Sequence, residues 1–374
     1  MNVVFFHGLE SPVVDGIPIG TKARFLRDRF GARTPTFDNR AAIAVVTRLA
    51  AGEPVSPAER AEAFAGPLAT ARTNLDGVDV AVGSSFGGAL LVELLHERAR
   101  AGLPNPAAVL LAGAGPKLFG HTALPPGRFA LVHGLDDAVV PAVGSVALAR
   151  SPGAALLLVD DGHSLRTTVG PTLERAIRWA AGQEPRGGLV AGVTVRPAID
   201  ADADAVRAVH LAAFPSQEEA KLVDAVWGTP DLVRSLVAER AGRVVGHAAW
   251  LRVTIDGHAD AGLATRAGQP DGSHRGVGLA PLAVHPDAAG QRIGSALAMA
   301  GLDACRALGE PFAVVLGDPD YYATFGWLPS EDLGVRSTYD VPPGVFRAME
   351  LVPGGLEGVR GTARYPAVLD ALGV

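Results

Sequence analysis

The stretch from residue 80 to residue 88 constrains the fold of this 374-residue chain more than any other. A short apolar run ends there in the pattern Gly-x-Ser-x-Gly, with Ser85 at its centre, and a helical pattern follows from residue 89 to residue 100. The two glycines allow a turn so tight that the serine is held in a strained backbone conformation, with its hydroxyl above the end of a parallel sheet. The helix also directs backbone N–H groups towards negative charge that develops beside this hydroxyl.

Strand and helix patterns alternate on both sides of this turn. Strands are predicted at Asn2–Phe6, Arg33–Phe37, Val80–Val82, Ala107–Ala112, Phe129–Val132 and Ala154–Val159, and helices at Thr21–Arg29, Ser56–Thr73, Ala89–Arg100 and Pro171–Ala181. Ser56 is followed by Pro57 and then by Glu59, which together form a good helix start signal. Alternation of this kind predicts a doubly wound parallel α/β sheet.

Three residues of complementary chemistry, Ser85, Asp137 and His163, each come just after a predicted strand. Chemistry collects at the carboxyl ends of strands in such sheets, and the order nucleophile, acid, histidine is that of the α/β-hydrolase arrangement. A serine hydroxyl needs an imidazole to take its proton and a carboxylate to orient and stabilise that imidazole. The N–H groups of Phe86 and Leu9 are the predicted oxyanion hole.

Each of these residues also has a purely structural interpretation. A single Gly-x-Ser-x-Gly is often only a turn, Asp137 could start a helix, and His163 could be a loop histidine. The occurrence of all three at strand ends, in this order, favours the catalytic interpretation. Ser84 is the less favoured nucleophile because it lacks the flanking glycine pattern, and Asp136 lies one residue too early.

Residues 1–182 resemble small, lidless α/β-hydrolases of the bacterial esterase type. The motifs that carry the resemblance are His7-Gly8 after the first strand, Gly83-Ser84-Ser85-Phe86-Gly87-Gly88, His133-Gly134-x-x-Asp137-x-Val139-Val140-Pro141, and Asp161-Gly162-His163-Ser164-Leu165. The resemblance implies an α/β-hydrolase domain with esterase or thioesterase activity towards a small-molecule ester. It does not identify the ester.

A stretch rich in glycine, proline and charge at residues 183–192 separates the first half from a new pattern, so we predict a linker there and a second domain over residues 193–374. Strands are predicted at Val193–Pro197, Leu232–Glu239, Val244–Ile255 and Gly278–Val284, and a long loop at Asp256–Arg275. Helices are predicted from Asp200 or Asp202 to Phe214, at Glu218–Trp227 and at Gln291–Leu308. A short glycine turn joins Leu232–Glu239 to Val244–Ile255, and the two strands are predicted to form an antiparallel hairpin.

The second half has its own glycine turn, where the strand ending at Val284 leads into the helix that starts near Gln291. Free N–H groups and the helix dipole make such a helix start an anion site. A plain strand–turn–helix connection explains the turn equally well when it is taken alone. A Rossmann dinucleotide site is disfavoured, because the Gly-x-Gly-x-x-Gly spacing is missing and the preceding strands read as antiparallel.

Residues 193 to about 350 resemble GNAT-type N-acetyltransferases, especially small bacterial ones. The matching motifs are Leu282-Ala283-Val284-His285-Pro286, Gln291-x-x-Gly294-x-Ala296, and Val315-Leu316-Gly317-Asp318-x-x-Tyr321-Tyr322-x-x-Phe325-Gly326-Trp327. The resemblance implies an α+β mixed-sheet GNAT acyltransferase domain that uses acetyl-CoA as cosubstrate to acetylate a small-molecule amine. It implies no metal.

The same resemblance assigns roles to individual positions. The pyrophosphate of acetyl-CoA would be held by the turn, that is by Gln291, Arg292, Ile293, Gly294, Ser295 and Ala296, and the pantetheine arm would pair with the strand residues Leu282, Ala283 and Val284. Tyr322 best matches the tyrosine that protonates the leaving thiolate, with Tyr321 as the second choice. The base for the amine is not identified; Asp318, Asp320 and His285 are candidates only because they lie nearby in sequence.

Composition excludes several classes of protein. The net charge of −6 disfavours nucleic acid and anionic membranes as main partners, and no apolar stretch approaches a membrane span. The single cysteine, Cys305, rules out an internal disulfide and fits a reducing compartment, so a cytoplasmic location is expected. Its setting in an apolar helix predicts that it is packed in the core.

The sequence thus predicts a fusion of a serine hydrolase with an acetyl-CoA-dependent N-acetyltransferase. Two alternatives remain open. The second half could bind acyl-CoA as a sensor while the hydrolase does the chemistry, or the first half could be an inert scaffold attached to an active transferase.

Overall fold

The computed structural model describes residues 1–9, 11–113, 116–183, 189–256 and 273–372. The chain divides into two compact units, with the division at about residues 185–195. The predicted domain ends at residues 182 and 193 stay a prediction, which separate expression of each half would test. Most of the long loop predicted from residue 256 lies outside the described residues, while His274 and Arg275 already belong to a strand.

The first unit alternates between strand and helix. Its strands are β1 (Val3–Phe6), β2 (Val13–Val14), β3 (Ile17–Pro18), β4 (Val80–Ser84), β5 (Ala107–Leu111), β6 (Phe129–Gly134) and β7 (Ala154–Val159). Its helices are α1 (Thr21–Phe30), α2 (Arg40–Ala50), α3 (Pro57–Thr73), α4 (Phe86–Arg100), α5 (Pro116–Phe119), α6 (Val143–Leu148) and α7 (Pro171–Ala180). At the start of α3, Ser56 and Glu59 form a reciprocal capping box. Helix α2 has no such start signal, and the sequence did not predict it.

Strands β1, β4, β5, β6 and β7 form a parallel sheet in this spatial order. The strand predicted over residues 33–37 is reduced to Arg33, which makes a parallel bridge to Val4 on the edge of β1 opposite to β4. Pro35 has no N–H with which to continue that ladder. The chain therefore places Arg33 on one edge of β1 and then β4 on the other edge. Ligands bind at such a reversal in open α/β sheets.

Helices cover the two faces of this sheet. Right-handed crossovers put α1 on one face and α3 and α4 on the other. Helices α1 and α7 are joined by a bidentate ion pair between Arg29 and Glu174, with N–O distances of 2.8 and 2.7 Å. On the α4 face, Phe6 and Phe129 of the strands pack with Leu91 in one buried cluster. Burial on both faces explains why the strands read as continuous apolar runs.

The second unit has a mixed α+β composition. Its strands are β8 (Thr194–Pro197), β9 (Leu232–Arg240), β10 (Arg243–Asp256), β11 (His274–Val284), β12 (Phe312–Leu316), β13 (Leu328–Pro329), β14 (Val335–Ser337), β15 (Phe346–Glu350) and β16 (Gly361–Arg364). Its helices are α8 (Ala203–Ala213), α9 (Glu218–Val226), α10 (Ile293–Ala307), α11 (Pro319–Ala323) and α12 (Ala367–Leu372). The hairpin between β9 and β10 turns at Ala241 and Gly242, which both have positive φ (49° and 79°).

The sheet of the second unit combines antiparallel and parallel pairs. Strands β9, β10 and β11 are antiparallel neighbours, β12 lies parallel to β11, and β15 lies antiparallel to β12. Helix α10 packs on this sheet, and Trp250 of β10 is fully buried with its indole against Gly301 of the helix. Burial raises the pKa of the Cys305 thiol of α10, which is therefore a neutral core side chain.

Candidate active sites

The turn between β4 and α4 holds Ser85 in a strained conformation, with φ 52° and ψ −117°. A Cβ atom on Gly83 would lie 2.6 Å from Cα of Gly88, and one on Gly87 would lie 2.1 Å from the carbonyl oxygen of Phe6. Side chains at either position would therefore collide with backbone. The glycines let α4 start directly against β1, and the strain at Ser85 is of the kind that is concentrated at active sites.

Ser85, His163 and Asp137 form one chain of hydrogen bonds. The Oγ of Ser85 lies 3.0 Å from Nε2 of His163, and Nδ1 of the same imidazole lies 2.7 Å from Oδ2 of Asp137. The Asp137 side chain is fully buried, whereas a quarter of the His163 side chain is exposed. With the proton on Nδ1 donated to the carboxylate, Nε2 is left to accept the proton of Ser85. The structure thus brings together the three side chains that the sequence singled out.

The Asp137 carboxylate is fixed by its own loop. Its Oδ1 accepts hydrogen bonds from the N–H groups of Val139 (2.9 Å) and Val140 (2.7 Å), so Oδ2 remains for the histidine. Buried His133 packs beside it, with Nε2 2.8 Å from the Val140 carbonyl oxygen and Nδ1 2.8 Å from Oγ of Ser145. Burial lowers the pKa of His133, although the bond to Val140 opposes this effect, and a neutral ring suits both contacts.

The peptide between Gly8 and Leu9 carries the N–H that is predicted as one donor of the oxyanion hole. The carbonyl oxygen of Gly8 accepts a hydrogen bond from Nδ1 of His7 (2.8 Å), and in a trans peptide the Leu9 N–H points the opposite way. A Cβ atom on Gly8 would lie 3.5 Å from Cβ of Ser85, so this peptide borders the serine. Phe86 is the first residue of α4, where helical N–H groups have no partner within the helix.

Two residues hold this loop: His7, which belongs to a sequence motif but had no assigned role, and Asn39, which the sequence did not single out. Burial lowers the pKa of His7, and its neutral ring stacks on Phe37 with centroids 4.5 Å apart. Asn39 donates from Nδ2 to the carbonyl oxygen of Leu9 at 3.1 Å. Asn39 stands immediately before α2, so a recognised α2 would have drawn attention to it. Both residues act on the Leu9 segment rather than on the reacting atoms.

In the second unit, β11 and β12 run side by side for only three residues. Val277, Gly278 and Leu279 pair with residues 313–315 of β12, and no pairing to β12 is seen for the described residues 280–284. On its other edge, β11 stays paired with β10 as far as Val284. In the part of the chain that the structure describes, the end of β11 that carries Leu282, Ala283 and Val284 therefore has one edge without a strand partner, where an extended ligand can add.

The turn predicted to hold a pyrophosphate lies at the start of α10. Arg292 precedes the helix in the left-handed conformation (φ 63°), and Ile293 and Ala296 are buried beneath the turn. Gln291 and Arg292 are exposed, with Nε2 of Gln291 3.3 Å from the carbonyl oxygen of Asp287. A Cβ atom on Gly294 would lie 3.2 to 3.8 Å from side-chain atoms of Tyr321, Val284 and Leu282. The turn, the strand end and the tyrosine helix therefore meet at Gly294.

The two adjacent tyrosines of α11 have different environments. The hydroxyl of Tyr321 lies 3.2 Å from Oγ of Ser295, at the start of α10. The Tyr322 ring packs on Gly317 and edge-on against Trp327, with only 8% of the residue exposed. Burial raises the pKa of both phenols, so both are protonated at neutral pH. Each can donate a proton, and the structure places Tyr321 nearer to the turn.

Two of the three candidates for the amine's base, Asp318 and His285, have other partners. Asp318 caps α11 by accepting from the N–H of Tyr321 at 2.9 Å. His285 has Nε2 2.9 Å from the Arg243 guanidinium and Nδ1 3.3 Å from the N–H of Asp287.

Within the described ranges there is no cluster of three or more His, Cys, Asp or Glu side chains that could hold a metal. No helix among the described residues is long and apolar enough to cross a membrane.

Comparisons with known proteins find similarity to GNAT acetyltransferases in the second half. The family model described as "Acetyltransferase (GNAT) domain" matches residues 194–329. A GNAT family N-acetyltransferase from Escherichia coli, solved with CoA, is 28% identical over 48% of this chain and 92% of its own, with a TM-score of 0.42. A GNAT family acetyltransferase from Brucella melitensis, solved with acetyl-CoA, is 29% identical over 48% of this chain and 98% of its own, with a TM-score of 0.37.

A solved structure that is described as a hydrolase also matches the chain. A protein from Xanthomonas campestris assigned to the alpha/beta hydrolase superfamily is 23% identical over 49% of this chain and 95% of its own, with a TM-score of 0.35. No curated protein matches the chain. The family match places a GNAT domain in the C-terminal half.

Proposed function

We propose that the chain is a fusion of two enzymes, a serine hydrolase with an α/β-hydrolase fold in the first unit and an acetyl-CoA-dependent N-acetyltransferase in the second. The hydrolase half is carried by the hydrogen-bond chain from Ser85 through His163 to Asp137, with distances of 3.0 and 2.7 Å. The transferase half is carried by the GNAT match to residues 194–329, supported by the parting of β11 from β12.

In the hydrolase, Ser85 Oγ attacks the ester or thioester carbonyl carbon while its proton passes to Nε2 of His163. Asp137 stabilises the imidazolium through the bond from Nδ1. The negative oxygen of the tetrahedral intermediate accepts hydrogen bonds from the N–H groups of Leu9 and Phe86. The intermediate collapses when His163 gives the proton to the leaving group, and a water molecule then repeats the sequence on the acyl-enzyme.

Hydrolysis of p-nitrophenyl acetate by the full chain tests this half. Ser85→Ala should lower kcat/KM by about a thousandfold or more, because the nucleophile is lost. Ser84→Ala is the matched variant: its serine is adjacent but buried below the turn, and the expected loss is less than about tenfold. Equal losses in the two variants, or full activity of Ser85→Ala, would contradict the assignment of Ser85 as the nucleophile.

In the transferase, a neutral amine attacks the thioester carbonyl of acetyl-CoA, the nitrogen loses one proton to solvent, and the carbon–sulfur bond breaks. The departing thiolate takes a proton from Tyr322, or from Tyr321 if the hydroxyl beside Ser295 is the one in reach. The unpaired edge of β11 at residues 282–284 would pair with the pantetheine arm, and the turn at residues 291–296 would hold the pyrophosphate. Positioning of the two reactants supplies most of the rate.

Calorimetric titration of acetyl-CoA into the full chain tests this half. Gly294→Asp places a carboxylate at the start of α10, where it competes with the pyrophosphate, and should weaken binding at least about a hundredfold. Ala307→Asp, which adds the same charge at the exposed far end of α10, is the control and should bind normally. Transfer to a panel of amines is monitored by the release of the CoA thiol. Binding of acetyl-CoA without transfer to any of these amines would favour an acyl-CoA sensor.

A further inference from the structure

Lys22 directs its ammonium group towards the hydrolase triad from the first turn of α1. Its Nζ donates a hydrogen bond to Oγ of Ser84 at 3.1 Å, and Ser84 is the buried residue that precedes the nucleophile. Most basic residues of α1 behave differently; Arg29, for example, is half exposed and pairs with Glu174 at the surface. The lysine therefore lies under the turn that presents Ser85. No pattern in the sequence predicts this contact.

Two carboxylates interact electrostatically with this ammonium group. Asp137 is the triad acid, and Asp161 begins the loop that carries His163. The Oδ2 atom of Asp161 accepts hydrogen bonds from Thr167 and Thr168 through both N–H and O–H groups, at 2.8 to 3.1 Å. Burial alone would raise the pKa of Asp161, but these bonds outweigh it and lower the pKa, so the group stays a carboxylate at neutral pH.

Lys22 is charged at neutral pH but close to its titration range. Burial lowers its pKa to about 8, and the negative charges of Asp161 and Asp137 limit the decrease. Desolvation of an ammonium group is unfavourable, and a lysine buried beside specific charges is a candidate for a functional role. One of these charges, Asp137, is hydrogen-bonded to His163, the imidazole whose protonation decides whether Ser85 can react in the proposed hydrolase.

We propose that Lys22 is a positioning residue of the hydrolase site, which offsets the charges of Asp137 and Asp161 and so keeps His163 neutral down to a lower pH. This inference rests on the proposed hydrolase function. An uncompensated carboxylate near an imidazole favours the protonated ring, and an ammonium group opposes it. A further titratable neighbour is His133, whose Nε2 lies 3.3 Å from Oδ2 of Asp137 and whose ring is neutral.

Inactivation by a fluorophosphonate tests the proposal without knowledge of the natural ester. The bond from Ser85 Oγ to phosphorus forms, the P–F bond breaks, fluoride leaves, and the proton passes to His163 and then to water. The rate constant of the full chain should rise with pH to a plateau, with a midpoint that reports when the imidazole becomes neutral. In Lys22→Met this midpoint should move up by about half to one pH unit, with the plateau nearly retained.

Two further variants separate charge from structure. Lys22→Arg keeps the positive charge and should keep the midpoint of the wild-type chain. Arg29→Met removes the same charge from the far end of α1 and should change neither midpoint nor plateau. Thermal unfolding of each variant is recorded in parallel, and Lys22→Gln replaces Lys22→Met if the latter does not fold.

Each result decides the matter. An unchanged midpoint in Lys22→Met, or a rate lowered equally at every pH, would show a merely structural lysine and overturn the proposal. A midpoint that moves equally in Lys22→Arg would exclude the charge as the cause. A wild-type chain that does not react with the fluorophosphonate at any pH would overturn the hydrolase function itself, and the role of Lys22 with it.

Discussion

A buried histidine pair in the second unit should make that unit sensitive to acid. His210 of α8 and His247 of β10 are both fully buried, and Nε2 of His210 lies 2.8 Å from Nδ1 of His247. The far nitrogen of His247 lies 2.8 Å from Oγ of Ser235, so both rings fit the contacts when neutral. Protonation of either ring would place a charge in the core, and burial lowers the pKa of His210 to about 4.

The size of the effect follows from linkage. In the unfolded chain a histidine titrates near 6.5, so the unfolded state takes up a proton that folded His210 refuses until about pH 4. The contribution of neutral His210 to the free energy of unfolding is therefore fully present above about pH 6.5 and is lost as the pH falls below that value. Between about pH 7 and about pH 5, His210 alone should lower the free energy of unfolding by roughly 2 kcal/mol.

The variant that isolates this term is His210→Gln, because an amide can still donate to His247 but does not titrate. Urea unfolding at about pH 7 and about pH 5, followed by tryptophan fluorescence, measures the free energy of unfolding. Three of the four tryptophans, Trp227, Trp250 and Trp327, lie in the second unit, so the signal reports mainly on it. The loss between the two pH values should shrink by roughly 2 kcal/mol in the variant.

The control is His121→Gln, which removes a histidine of the first unit that pairs with Glu93. It should leave the acid loss of the tryptophan-monitored transition unchanged. If His210→Gln loses as much stability on acidification as the wild-type chain, the buried pair is not the source of the acid sensitivity and the reasoning from burial is refuted.

Three further predictions concern the proposed sites. Asp137→Asn should lower kcat/KM for p-nitrophenyl acetate by about a thousandfold or more, because the histidine loses its orienting carboxylate; a loss below about tenfold would contradict the triad. Tyr322→Phe should lower kcat for acetyl transfer by about tenfold or more with little change in acetyl-CoA affinity; if only Tyr321→Phe has this effect, Tyr321 is the acid. Gly87→Ala should abolish ester hydrolysis, since its Cβ would lie 2.1 Å from the carbonyl oxygen of Phe6, while calorimetric acetyl-CoA binding persists; retained hydrolysis would show that the turn can relax.

Much of the proposed hydrolase site was predictable because its signals are local. Gly83 and Gly87, on either side of Ser85, predict a close approach of another part of the backbone. The structure identifies the partners as Gly88 and Phe6. The positions of Asp137 and His163 follow from one rule, that parallel strands end at the same edge of a sheet. The capping box at the start of α3 was readable for the same reason, since all of its atoms lie within four residues.

What the sequence by itself determined is the alternation of elements, the glycine turns and the identity of the groups that can react. Only the tertiary structure decided which groups meet across long sequence separations: Lys22 under Ser84, Asn39 on Leu9, and Tyr321 rather than Tyr322 beside the start of α10. The physical reason is that periodicity and turn chemistry depend on neighbours a few residues apart. Contacts between loops depend instead on the order of the strands in the sheet and on where each strand ends. The end of the pairing between β11 and β12 at Leu279 is one example.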